Sequence, residues 1–106
     1  MPKYMVQASY TTEGMKGLMK DGGSKRRSVV EQAISALGGK VEAFYFAFGA
    51  TDVVIIVDLP DAASGAAVGL TVGASGSVRC MTTPLLTAEE IDTATKKKVG
   101  YTAPGA

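Results

Sequence analysis

The sequence lacks several residue types on which protein chemistry often depends. Among its 106 residues there is no histidine, no tryptophan and only one cysteine, and the net charge is +1. Without histidine, the commonest general base at neutral pH and the commonest metal ligand are missing. A single cysteine can neither close an internal disulfide nor supply a thiolate pair to a metal. Charge this close to zero also argues against a nucleic-acid binder, which usually has a clear basic excess.

Long apolar segments are missing as well. No stretch approaches the length of a membrane span, and Met1-Pro2-Lys3 runs straight into a strand pattern rather than into a basic and then apolar leader. The sequence therefore predicts a cytoplasmic protein with no membrane or nucleic-acid partner, no metal and no cofactor. Its length and its 46% hydrophobic fraction predict one domain over residues 1–106 with a core of its own.

The richest apolar stretch covers residues 44–60 and predicts two strands that fold back on each other about Gly49–Asp52. Strands with one face in water alternate apolar and polar residues, but these two are apolar on both faces. We therefore expect both faces of the hairpin to be covered. The first expected set is Phe44, Phe46, Phe48, Val54 and Ile56, and the opposite set is Tyr45, Val53, Ile55 and Val57.

The chain before this hairpin predicts a strand and two helices. Residues 3–10 alternate as a strand does. Thr11 or Thr12 can cap a short helix, and Ser24 can cap the next helix, which Gly38-Gly39 ends.

The chain after the hairpin predicts a helix, a strand and a last helix. Asp61 is the expected N-cap of a helix of small residues, whose glycines recur every four positions and favour close packing of its backbone on the sheet. These glycines are Gly65, Gly69 and Gly73. A strand over residues 77–83 is expected to end at Pro84, and Thr87 and Glu90 form a capping box that begins the C-terminal helix.

The order β-α-β-β-α-β with an added C-terminal helix predicts an α+β fold of the ferredoxin-like type. This fold has a four-stranded antiparallel sheet with helices on one face. The other apolar face would then be exposed in a monomer. A second copy, packed sheet against sheet about a two-fold axis, is the simplest cover, so we expect a homodimer; a higher oligomer meets the same requirement.

Several motifs spread over nearly the whole chain resemble the GYD domain family of small bacterial proteins. They are Pro2-Lys3-Tyr4, Gly22-Gly23-Ser24 with Arg26-Arg27, residues 43–49, Asp52-Val53, residues 57–61 and residues 83–87. Gly49 and Asp52 hold the first and last positions of the Gly-x-Tyr-Asp motif, whereas Thr51 replaces its tyrosine. The resemblance implies a dimeric α/β-barrel, in which two ferredoxin-like sheets face each other, and it implies no established activity.

The most conspicuous polar cluster begins the second predicted helix. It comprises Gly23, Ser24, Arg26 and Arg27 together with Lys25. Backbone N–H groups at a helix start favour anions, and neighbouring cations can hold a phosphate or carboxylate. The alternative is ordinary solvated charge, with Arg27 four residues from Glu31 on the same helix.

Three further side chains are candidates for a ligand site. Asp52 could act as a base at the mouth of a barrel, although the turn composition favours a carboxylate that accepts backbone N–H bonds. Tyr10 and Tyr45 could line a cavity and offer hydroxyl groups to an anionic or aromatic small molecule, or could be ordinary core aromatics.

Arg79 and Cys80 lie next to each other in the last predicted strand. Arg79 could face an anion, although an ion pair with Glu42 or Asp58 is the simpler expectation. Strand alternation places Cys80 on the opposite face from Arg79, so we interpret Cys80 as a small buried hydrophobic residue.

The sequence thus favours a homo-oligomeric module that binds a small ligand or serves as an assembly unit, without catalysis. The alternative is a cofactor-independent enzyme, because fold relatives of the dimeric α/β-barrel type include monooxygenases and isomerases that hold a substrate in each half-barrel. A regulatory domain that senses an anionic metabolite through residues 23–27 is a third hypothesis.

Overall fold

The computed structural model describes all residues from 1 to 106. It contains four strands and four helices. The elements are β1 (Lys3–Tyr10), α1 (Thr12–Asp21), α2 (Gly23–Ala36), β2 (Lys40–Phe46), β3 (Val53–Asp58), α3 (Ala62–Ala74), β4 (Val78–Leu85) and α4 (Ala88–Thr95). The strands form one antiparallel sheet in the order β2-β3-β1-β4. This topology confirms the predicted α+β fold and is consistent with the ferredoxin-like type.

The core lies between this sheet and the two longest helices. Alternate residues of β1 and β3 point toward the helices and are buried, as a period of two requires. The buried hydrophobic residues are Tyr4, Val6, Ala8, Ile34, Val53, Ile55, Val57 and Leu59. Helix α2 packs on β2 and α3 packs on β4, whereas α2 and α3 do not pack closely against each other. A groove therefore remains between these helices, with β1 and β3 beneath it.

The predicted division of the hairpin's apolar residues between its faces is wrong. In the β2–β3 ladder, Phe44 lies opposite Ile55 and Tyr45 lies opposite Val54, with a β-bulge between Val41 and Ala43. Phe44 therefore shares the helix-covered face with Ile55, and Tyr45 shares the open face with Val54. Alternation identifies the two sides of each strand, but the turn and the bulge decide which sides coincide.

Three of the predicted helix caps are confirmed and one is wrong. Thr11 accepts the N–H of Gly14 at the start of α1, Asp61 accepts the N–H of Ser64 at the start of α3, and Thr87 forms the capping box of α4. Ser24 does not cap α2, which begins at Gly23. The N-cap is instead Gly22, whose φ of 82° turns the chain directly from α1 into α2 without a side-chain cap.

Strand β4 continues through Pro84 to Leu85, contrary to the predicted end. Because β4 is an edge strand, one of its sides has no neighbour, and a residue without an N–H is tolerated there.

Close packing of α3 on the sheet is confirmed for one of its three spaced glycines. A Cβ added to Gly65 would lie 3.8 Å from side-chain carbons of both Leu59 and Thr82. Gly69 and Gly73 would place a Cβ in open space. The four-residue spacing of the glycines therefore marks one contact of α3 with the sheet, at Gly65, and not a continuous row of contacts.

The C-terminal arm, which we define as residues 86–106, extends away from the domain. Every residue of the arm is exposed, and α4 packs closely against no other element. The radius of gyration is 16.9 Å, compared with about 13 Å for a compact chain of this length. No helix of the chain combines the length and the apolar character that crossing a bilayer requires.

Candidate functional site

An apolar cavity of about 80 Å³ lies between the sheet and helices α2 and α3. Val6 and Ala8 of β1 contribute to its lining from the sheet, and Val30 and Val68 contribute from α2 and α3. Of its 14 lining residues, only Arg26 is not hydrophobic. The open packing of α2 against α3 thus leaves an apolar space with one cationic side chain.

This cavity adjoins a larger groove of about 510 Å³ between α1, α2 and α3. Seven residues line both spaces, and Tyr10 and Arg26 are the two of them with polar groups where the cavity meets the groove. The groove adds polar residues to the lining, including Glu13 and Asp21 of α1. An apolar interior with a more polar opening is the usual arrangement of a small-molecule site.

Arg26 differs from the two cations beside it. Lys25 Nζ lies 3.6 Å from a carboxylate oxygen of Asp21, and Arg27 Nε lies 3.9 Å from one of Glu31. Arg26 is less exposed than either and takes part in no ion pair or side-chain hydrogen bond. The solvated-charge interpretation therefore fits Arg27, whereas Arg26 turns toward the cavity without a partner.

Gly23 and Ser24 do not converge with Arg26 on one point. A Cβ at Gly23 would lie 3.0 Å from the ring of Phe46, so this glycine serves the contact between α2 and β2. Ser24 is exposed and does not line the cavity or the groove. Of the four residues of the predicted anion cluster, the structure brings only Arg26 to the cavity.

Asp52 supports the site from outside it. Its carboxylate Oδ2 accepts the backbone N–H of Tyr10 at 2.9 Å, and its own N–H donates to the carbonyl oxygen of Ala8 at 2.8 Å. Asp52 does not line the cavity. These contacts agree with the interpretation of Asp52 as a turn residue that accepts a backbone N–H.

A comparison with models of known protein families identifies the family of this chain. The GYD domain model matches residues 4–95, a region that holds all four helices and all of the sheet except Lys3, the first residue of β1. The chain belongs to the GYD domain family. No curated protein and no solved structure matches the chain significantly.

Two predicted site residues of this GYD domain lie on the open face of the sheet, which we define as the face opposite the helices. Tyr45 is 70% exposed there, and Arg79 lies opposite Ser9 in the β1–β4 ladder. Neither lines the cavity. The structure therefore separates Tyr45 and Arg79 from Tyr10 and Arg26 by the thickness of the sheet.

The predicted ion pair of Arg79 with Glu42 or Asp58 is wrong. Both carboxylates bind Lys3 instead, whose Nζ lies 2.8 Å from Asp58 and 3.2 Å from Glu42. Lys3 lies directly opposite Asp58 in the β1–β3 ladder, whereas β4 pairs only with β1. Two hydrogen bonds raise the pKa of Lys3. The bond to Asp58 has the larger effect, and the bond to Glu42 has the smaller one.

Cys80 lines the cavity of the GYD domain, whereas the sequence pattern predicts only a small buried residue at this position. It is partly buried, and burial raises the pKa of its thiol. Val30 and Ile34 of α2 also line the cavity. Their spacing in the sequence indicates an apolar helix face, but periodicity shows that a face is buried and not what lies beneath it. No group of three or more His, Cys, Asp or Glu side chains is arranged to hold a metal ion.

Proposed function

We propose that this GYD domain is a homo-oligomeric module that binds a small molecule in the cavity beneath α2 and α3, without catalysing a reaction on it. The observation that carries the proposal is the apolar cavity that meets its groove at Arg26, a half-buried cation without a protein partner. A well-formed apolar pocket with a few converging polar groups is the default form of a binding site.

The chemistry of the lining supports binding rather than catalysis. Three side chains of the cavity carry a polar group, namely Tyr10, Arg26 and Cys80. A general base must reach the reacting proton, and a thiol nucleophile must ionise. Burial raises the pKa of Cys80 and so keeps its thiol protonated at neutral pH. These groups are suited to orienting a ligand by hydrogen bonds and charge.

The open face supports the homo-oligomeric part of the proposal. Its side chains include Tyr45 and Met81, which are 70% and 58% exposed, beside the partly buried Val54 and Ile56. An exposed apolar surface on a sheet is a natural contact for a second copy. Two copies that meet there would leave the cavity of each on the outer, helical side.

Binding is tested with 8-anilinonaphthalene-1-sulfonate, an apolar probe with one negative charge whose fluorescence rises in apolar sites. Val68→Phe should fill part of the cavity and reduce the fluorescence gain, whereas Leu70→Phe serves as the control because Leu70 is 75% exposed on the same helix and lies outside the cavity. Equal fluorescence from wild type and both variants, or none from any folded protein, contradicts binding in this cavity.

The oligomer is tested by sedimentation velocity. We expect a dimer or higher oligomer for the wild type and a monomer for Met81→Glu, because a carboxylate would be buried on the open face. Met19→Glu is the matched control, since Met19 is 84% exposed on α1, away from that face. A monomeric wild type contradicts this part of the proposal.

A further inference from the structure

We infer that the cavity takes an apolar monocarboxylate, whose hydrocarbon or aryl body enters the space beneath the helices and whose carboxylate is held by the Arg26 guanidinium. The inference rests on the proposed binding function and specifies the ligand of that same site.

The first argument is the position of Arg26 on α2. Arg26 lies one helical turn before Val30, and both residues line the cavity. Arg26 is also close to the N-terminus of α2, where the helix dipole disfavours a cation. A half-buried guanidinium in this position loses hydration and gains no partner within the chain. An anion in the groove would compensate both for the lost hydration and for the unfavourable helix dipole.

The second argument is that the nearby carboxylates already form ion pairs with lysines. Glu13 and Asp21, which share the groove with Arg26, lie 3.8 Å from Lys16 and 3.6 Å from Lys25. The anion for Arg26 is therefore expected to arrive with the ligand. A planar guanidinium pairs best with a carboxylate, which accepts two parallel N–H bonds from it.

The third argument concerns size and charge. An apolar cavity of about 150 Å³ is known to take benzene, so the 80 Å³ enclosed here suits a tail of a few carbons, with the rest of the ligand in the adjoining groove. The lining brings one cation to this apolar space, which matches a single negative charge rather than the multiple charges of a phosphate or nucleotide.

The test is calorimetric titration with octanoate and with 1-octanol, which has the same apolar chain and no charge. Octanoate should bind the wild type more tightly than 1-octanol does. Arg26→Ala should weaken octanoate binding by about tenfold to a hundredfold, as expected for loss of a charged hydrogen-bonding partner, and should weaken 1-octanol binding much less. Phenylpropanoate, titrated in parallel, distinguishes an aryl body from an alkyl one.

Arg27→Ala is the matched control, because it removes the neighbouring cation, which pairs with Glu31 outside the cavity. Octanoate affinity should stay within about twofold of wild type in this variant, since an exposed ion pair contributes little. Arg26→Gln gives the same comparison if Arg26→Ala does not fold.

The outcomes separate the ligand class from the binding function. Equal binding of octanoate and 1-octanol, with no effect of Arg26 variants, overturns the carboxylate inference and leaves an apolar binding module. Binding of the anilinonaphthalene probe without either octyl ligand or phenylpropanoate also overturns the ligand class alone. Absence of binding by every probe removes the proposed function itself.

Discussion

The side chain of Asp52 holds the end of β1 in place by accepting the backbone N–H of Tyr10, with Oδ2 2.9 Å from the nitrogen. The two residues are 42 positions apart, and Tyr10 lies at the junction of the cavity and the groove. The last residue of the Gly-x-Tyr-Asp motif thus joins the β2–β3 turn to the strand that supplies the tyrosine of the site. This contact gives the aspartate a structural role that does not require the motif tyrosine, which Thr51 replaces here.

Replacement of Asp52 should therefore lower stability. We expect Asp52→Ala to reduce the free energy of unfolding by about 1.5–3 kcal/mol, because it removes a charged acceptor from the N–H of Tyr10. Asp52→Asn keeps an oxygen acceptor, so its free energy of unfolding should fall by less. Urea denaturation of the three proteins measures both differences, and equal losses in the two variants contradict the proposed importance of this hydrogen bond.

Two glycines of α1 should respond oppositely to alanine. A Cβ at Gly14 would collide with the carbonyl oxygen of Ser77, which is fixed by the N–H of Thr11 at 3.0 Å. We expect Gly14→Ala to destabilise the domain by about 1–3 kcal/mol through overpacking. Gly17 has no neighbour within 4 Å, so Gly17→Ala should stabilise it by about 0.4–1 kcal/mol. Thermal denaturation shows which variant melts at a lower temperature than the wild type and which melts at a higher one.

The thiol of Cys80 should react slowly. Because burial raises its pKa above the ordinary value, less thiolate is present at pH 8 than in a free cysteine, and iodoacetamide should alkylate it more slowly than it alkylates glutathione. Arg79→Ala should leave this rate unchanged, because Arg79 lies on the other face of the sheet. A faster reaction than that of the free thiol contradicts the assignment.

The same pKa shift has a defined sign for stability. Above the ordinary thiol pKa of 9.0, Cys80 ionises in the unfolded chain while the folded protein still holds the proton. The free energy of unfolding should therefore fall as pH rises through this window and stay unaffected by this group at neutral pH. In Cys80→Ala, the free energy of unfolding, measured by urea denaturation, should fall less between pH 8 and pH 10 than it does in the wild type.

Deletion of residues 87–106 should leave the domain folded. Helix α4 packs closely against no other element, and an isolated helix of eight residues is not stable by itself. We expect the urea midpoint of the remaining chain to change little. A clear loss of stability would instead show that the arm packs on another copy of the chain, and sedimentation of the shortened protein would then show a smaller oligomer.

Much of the architecture could be predicted from the sequence, because it depends on local signals. The alternation in residues 3–10 and the caps at Thr11, Asp61 and Thr87 act over a few residues, and the structure confirms them. The order of the elements then leaves few ways to arrange an antiparallel sheet. The predicted cap at Ser24 is wrong because Gly22 is both the C-cap of α1 and the N-cap of α2.

The site was less predictable, because it depends on register and on how the helices are spaced. Sequence reasoning treated Arg26 and Arg27 alike, although one lines the cavity and the other pairs with Glu31. Their difference follows from the rotation of α2 about its axis, which is set by packing against β2. The cavity itself arises where α2 and α3 stay apart, and no local pattern encodes that separation.

The two outer strands of the sheet discourage growth into fibres. On one side, β4 contains Pro84, which has no N–H to offer to an incoming strand. On the other, β2 carries a bulge between Val41 and Ala43 beside the charged Lys40 and Glu42. Such edges resist the endless addition of strands from neighbouring chains. The two borders of this apolar sheet therefore protect the chain from open-ended aggregation through its edges.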